Sequence, residues 1–96
     1  MTERQRLAQL YEHSLLNLAQ LLLEKGEPKT ALMHCQTILA ENHCMESAHR
    51  LAMQAFAALG NRSGIADQYE QCKQFLMEEL GLEPSAETVK LYKLLR

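Results

Sequence analysis

Apolar residues recur along this chain at steps of three and four, the period of one face of an α-helix. Leu7, Leu10, Tyr11, Leu15, Leu18 and Leu22 follow Thr2 and Gln5, which have the spacing of a capping box, and the run stops at Gly26. One long helix is predicted ahead of that glycine. Pro28 suits the first turn of a second helix, where a missing N–H has no intrahelical partner to lose. Leu32, Cys35, Ile38 and Leu39 form its apolar face, and Asn42 is the expected stop. A third helix is expected over residues 46–59, carrying Ala48, Leu51, Ala52, Ala55, Phe56 and Leu59. A fourth, over 63–80, carries Ile65, Ala66, Tyr69, Cys72, Leu76 and Leu80 and ends at Gly81. Pro84 and Ser85 then supply a breaker and an N-cap for a short last helix lined by Val89, Leu91, Tyr92, Leu94 and Leu95. No stretch alternates in the manner of a strand, and Thr, Val and Ile are scarce, so the predicted fold class is all-α.

The helical pattern repeats. Gly26 and Gly60 lie 34 residues apart, each between two apolar stretches. Laying residues 21–39 over 55–73 puts Leu22 on Phe56, Ala31 on Ile65, Cys35 on Tyr69 and Ile38 on Cys72. That interval is the period of a tetratricopeptide helix–turn–helix repeat. The sequence therefore resembles a right-handed, tetratricopeptide-like stack of antiparallel helix pairs, with about five helices. Neither hairpin can bury its apolar face alone, but two stacked hairpins can. A scaffold of this kind works by binding.

Composition narrows the class. The chain is long enough for one core, so residues 1–96 are expected to form a single domain. With 47% hydrophobic residues and no Trp, the core must be filled by Leu, Ala and Met. Ten Lys and Arg scattered among twelve acids, for a net charge of −2, supply no basic patch, so DNA is to be reached only through another domain. No apolar run approaches the ~20 residues needed to span a bilayer, and no membrane role is expected. Three cysteines and no signal-peptide pattern argue against a secreted disulfide framework and for a cytoplasmic location.

Three runs carry a more specific resemblance: Ala58-Leu59-Gly60-Asn61-Arg62, then Gln68-Tyr69-Glu70, then Glu79-Leu80-Gly81-Leu82-Glu83-Pro84-Ser85 with Glu87-Thr88 and Leu91-Tyr92 beyond. Upstream, Arg6-Leu7, Tyr11, Leu18-Ala19, Gly26, Ala31-Leu32, Glu46, Ala48-His49-Arg50-Leu51 and Met53 fit the same pattern. Together they resemble the bacterial transcriptional activator domain of regulators similar to the Streptomyces antibiotic regulatory proteins. The resemblance covers nearly the whole chain, and residues 79–85 are its most specific part. It implies a module that follows a winged-helix DNA-binding domain and helps it activate transcription. The contacts implied are with further copies, neighbouring domains or the transcription machinery, and a homodimer is one such assembly. Ile65-Ala66 departs from the family's usual small-then-large order, and His43 stands where a proline often closes a repeat.

Candidate chemistry is sparse. His34, Cys35, His43, Cys44 and His49 crowd the middle of the chain without the paired spacing of a zinc site. Cys35 and Cys72 fall on positions that the repeat buries, and Cys44, in a turn, is the expected exposed thiol. Residues 60–64 are glycine-rich but lack the Lys and Ser or Thr of a phosphate loop. No nucleophile–base pairing is suggested by spacing. Neither enzyme activity nor a cofactor or metal is expected.

The first helix has more leucine than one core-facing stripe requires. Matching the chain to the repeat pattern places His13, Leu16, Gln20 and Leu23 on the inner groove, with Arg50, Gln54 and Ala57 from the second hairpin. Leu16 and Leu23 would then either lie under the last helix, around Tyr92 and Leu95, or form a partner-binding or dimerisation surface. On this reading a charge swap at Arg50 weakens partner binding without unfolding the domain. Two other functions stay open: a stand-alone adaptor or chaperone-like repeat protein holding a peptide or helix, and a metal or redox sensor built on the central Cys and His residues.

Overall fold

The computed structural model describes residues 2–96. Five helices follow one another: α1 (Glu3–Glu24), α2 (Pro28–Glu41), α3 (Glu46–Ala58), α4 (Arg62–Leu80) and α5 (Ala86–Leu95). Their ends are set by the residues the sequence offers there. Thr2 and Gln5 form the capping box of α1, Gln5 N–H donating to Thr2 Oγ1 at 3.2 Å and Thr2 N–H to Gln5 Oε1 at 3.0 Å. Pro28 opens α2, and Asn61 caps α4 by accepting from the Gly64 N–H at 2.9 Å. Gly26 and Gly60 take positive φ values of 83° and 71°, the left-handed conformation that reverses the chain into each hairpin.

The hairpins α1–α2 and α3–α4 stack through α2 against α3, and α5 packs on α3 and α4. Helices α1, α3 and α5 thus lie side by side as one layer, with α2 and α4 behind them, which is the tetratricopeptide-like arrangement. Helix α3 is central and buried on most sides, through Ala48, His49, Leu51, Ala52, Met53 and Ala55. Small residues let the axes approach: Ala19, Ala31, Cys35 and Ala52 are fully buried where α1, α2 and α3 meet. The larger Ile38, Met53 and Ile65 fill the remaining core, each contributing roughly 1.5–3 kcal/mol of burial. Gly64 is also a packing residue, since a Cβ there would stand 2.5 Å from the Phe56 ring.

Three expectations need correction. The last helix does not fold over Leu16 and Leu23. Among the described residues α5 makes no close approach to α1, because its first turn is tied to α3, and Tyr92 stacks on Tyr69 of α4 at 4.0 Å. Nor are Leu16 and Leu23 left bare, for both pack, half-buried, against the cluster of Ala19, Ala31, Cys35, Leu51 and Ala52. Finally, Leu7, Leu10, Tyr11 and Leu18 of the supposed core stripe are exposed, as are Leu59 and Leu80. Helix α1, at 22 residues against 14 for α2, is longer than its partner, so its first turns are covered only in part, where Gln5, Ala8, Gln9 and Glu12 stand beside Glu41 and Asn42.

Candidate protein-interaction face

The layer of α1, α3 and α5 presents a shallow cleft of about 250 Å³, lined by Leu16 and Gln20 of α1, Ser47, Arg50, Leu51 and Gln54 of α3, and Glu87 of α5. Four of the seven residues assigned from sequence to the groove, Leu16, Gln20, Arg50 and Gln54, therefore line one cleft, and Ala57 does not. His13 is exposed on α1 but lies outside the cleft lining, and Leu23 is turned into the core cluster. Ser47 and Glu87 were not anticipated. Glu87 enters only through the docking of α5, which periodicity within a single helix does not encode.

Arg50 is held on several sides. Its Nη1 donates to Thr88 Oγ1 at 2.9 Å and lies 3.9 Å from Glu46 Oε2, while Nη2 is 3.7 Å from Glu87 Oε2. Glu46 Oε2 in turn accepts from Ser85 N–H at 3.0 Å, from Ser85 Oγ at 2.9 Å and from the Thr88 hydroxyl. Burial alone would raise the Glu46 carboxyl, but the hydrogen bonds from Thr88 and Ser85 and the charge of Arg50 hold it below its ordinary value. The network fixes the floor of the cleft and the position of α5 together, so Arg50 is a structural residue as well as a cleft residue.

Behind the cleft, the fully buried His49 joins α3 to α4. Its Nε2 lies 2.7 Å from the His43 carbonyl oxygen, and its Nδ1 lies 2.7 Å from Gln68 Nε2. A carbonyl can only accept, so Nε2 carries the proton and Nδ1 accepts from the Gln68 amide: the neutral ring satisfies both partners. Burial is the largest cause that keeps this imidazole below its ordinary value.

The cysteines stand apart. Cys35 and Cys72 are buried, which pushes each thiol up to about 12. Cys44 is half-buried, with its Sγ 3.1 Å from Glu79 Oε2 and 3.5 Å from the Phe75 carbonyl oxygen. Burial, then the hydrogen bond and charge of Glu79, raise its thiol to about 11. It is less open, and less easily ionised, than a turn position suggests. No three His, Cys, Asp or Glu side chains converge as a metal cage among the described residues. Another hollow, of about 520 Å³, lies between α4 and α5, bounded by Tyr69, Met77, Leu82, Pro84 and Val89. None of those residues was anticipated as a site. No helix is long and apolar enough to cross a membrane among the described residues.

The described residues form an all-helical repeat stack with a polar cleft along one layer. The chain matches the bacterial transcriptional activator domain over residues 1–96 and belongs to that family, a regulatory family rather than an enzyme family. No curated protein and no solved structure matches it.

Proposed function

We propose that this chain is a protein-interaction and oligomerisation module of a bacterial transcriptional regulator, acting in the cytoplasm beside a DNA-binding domain elsewhere in the parent protein. Its partners are protein: another copy, a neighbouring domain or the transcription machinery. DNA is contacted through the parent's reader alone. The observation that carries this reading is the cleft, in which Gln20 and Gln54 present amide donors and acceptors beside the half-buried Leu16. A mixed surface of that kind suits a helix or an extended segment of protein. Leu16, Gln20, Arg50 and Gln54 are the contact residues in this reading, with His13 and Leu23 on the margins. Family membership favours this role over a stand-alone adaptor.

The test is to fuse the chain to a heterologous DNA-binding domain at a reporter promoter in bacteria. Several-fold activation above the DNA-binding domain alone is expected. Output equal to that of the DNA-binding domain alone would contradict the proposal.

A further inference from the structure

Helix α1 carries a second apolar face that the helix stack leaves unused. Leu7, Leu10, Tyr11, Leu18 and Leu21 each keep between 43% and 60% of their surface exposed. At about 100° per residue they share one sector of α1, about 100° wide, with Glu3, Ser14 and Lys25, well away from the sector of Gln20 that faces the cleft. All eight residues are exposed. This is a continuous seam, unlike the scattered single leucines that any protein surface shows.

The seam is symmetric about Ser14. Leu10 and Leu18 stand four residues to either side, Leu7 and Leu21 seven, and Glu3 and Lys25 eleven. We infer that this face pairs with the same face of a second copy of the chain, α1 running antiparallel to α1 about a two-fold axis at Ser14. Leu7 then meets Leu21 of the other copy, Leu10 meets Leu18, and the small Ser14 meets itself at the centre, with Tyr11 along the flank. Such a contact is isologous and closes as a dimer.

Charge selects the direction. Antiparallel pairing places Glu3 opposite Lys25 at both ends of the seam, whereas parallel pairing would set Glu3 against Glu3 and Lys25 against Lys25. Glu3 already holds Arg6 within its own helix at 2.8 Å through Oε1, and it has a second carboxylate oxygen to offer. Exposed ion pairs add little affinity, but like charges face to face are penalised, so they fix register. The helix dipoles also oppose each other in this arrangement. The pairing rests on the reading of the chain as an interaction module, but it uses a face distinct from the cleft.

Sedimentation over a concentration series, on the Cys44→Ser chain, tests the pairing. A reversible dimer of twice 11.0 kDa is expected. A single helix pair falls in the small, weak class of interfaces below about 1,200 Å², so the series should reach ~1 mM. Leu10→Glu with Leu18→Glu should halve the mass while leaving the helical circular dichroism unchanged, since both side chains are exposed. Glu3→Lys should weaken the dimer and Glu3→Lys with Lys25→Glu should restore it. On mild oxidation, Ser14→Cys chains should crosslink to each other, and Leu7→Cys should crosslink to Leu21→Cys but not to itself. A wild-type monomer up to ~1 mM, a dimer indifferent to Leu10→Glu with Leu18→Glu, or self-crosslinking of Leu7→Cys overturns the inference. Reporter activation by a chain that is monomeric in sedimentation would sink this pairing while leaving the cleft reading intact. A dimer without activation would do the reverse.

Discussion

Thr88 on α5 donates its hydroxyl to Glu46 on α3 and at the same time accepts from Arg50, so one threonine ties the last helix to the central one. Glu46→Ala or Thr88→Val leaves partners in this network unsatisfied and is expected to cost roughly 1–3 kcal/mol. Arg50→Glu, which sets a carboxylate against Glu46 and Glu87, should destabilise the domain as well, contrary to the expectation from sequence that Arg50 serves binding alone. Urea denaturation reads the loss, and faster amide exchange confined to residues 86–95 would place it in α5.

His49 makes stability depend on pH. Its folded form binds a proton less readily than the unfolded chain does, so its contribution is full above the ordinary imidazole value of 6.5 and is lost as pH falls below it. Glu46 has the opposite charge and a lowered value, so its contribution is present above the ordinary carboxyl value of 4.5 and is lost below it. Urea midpoints measured from pH 8 to pH 3 should therefore decline in two steps. His49→Gln should remove the upper step at some cost in stability.

Gly64→Ala is predicted to destabilise, although alanine favours a helix by about 1 kcal/mol over glycine. The added Cβ would lie 2.5–2.8 Å from Phe56 ring atoms, and overpacking of this kind typically costs about 1–3 kcal/mol. Gly64→Ala with Phe56→Leu should recover part of the loss. Thermal unfolding of the single and double variants checks the coupling.

Cys44, half-buried, should alkylate slowly. With its thiol raised to about 11 from 9.0, the thiolate population at pH 8 falls about a hundredfold, offset about tenfold by the greater nucleophilicity of a more basic thiolate. Glu79→Gln removes the facing carboxylate and should speed iodoacetamide labelling of Cys44, with Cys35 and Cys72 unreactive until the protein unfolds.

The repeat and its turns were legible in the sequence because they depend on local chemistry. Gly26 and Gly60 mark the reversals, Thr2, Asn61 and Ser85 cap helices, and the order of elements follows. Neither the direction of α1's surplus leucines nor the position of α5 could be read this way. Leu7 and Leu22 share a helical period but not a neighbour, since α2 and α3 cover only part of α1. Leu16 and Leu23 look like a free stripe until they are seen to pack against the cluster of Ala19, Ala31, Cys35, Leu51 and Ala52. The docking of α5 rests on Glu46, Arg50, Ser85 and Thr88, four polar residues from distant parts of the chain whose pairing no spacing announces. Leu16, Gln20, Arg50 and Gln54 come together because their placement follows from the repeat pattern, whereas Glu87 joins them only through that docking.

In the proposed function, activation runs through the cleft. Its most direct measurement compares two matched variants in the reporter fusion, Gln20→Arg with Gln54→Arg in the cleft and Gln71→Arg with Gln74→Arg on α4, behind the cleft layer. Equal helicity and equal operator occupancy for both would be confirmed first. The cleft pair should drop to the output of the DNA-binding domain alone while the α4 pair stays near wild type. Full activation by the cleft pair, or equal loss in both, would contradict it.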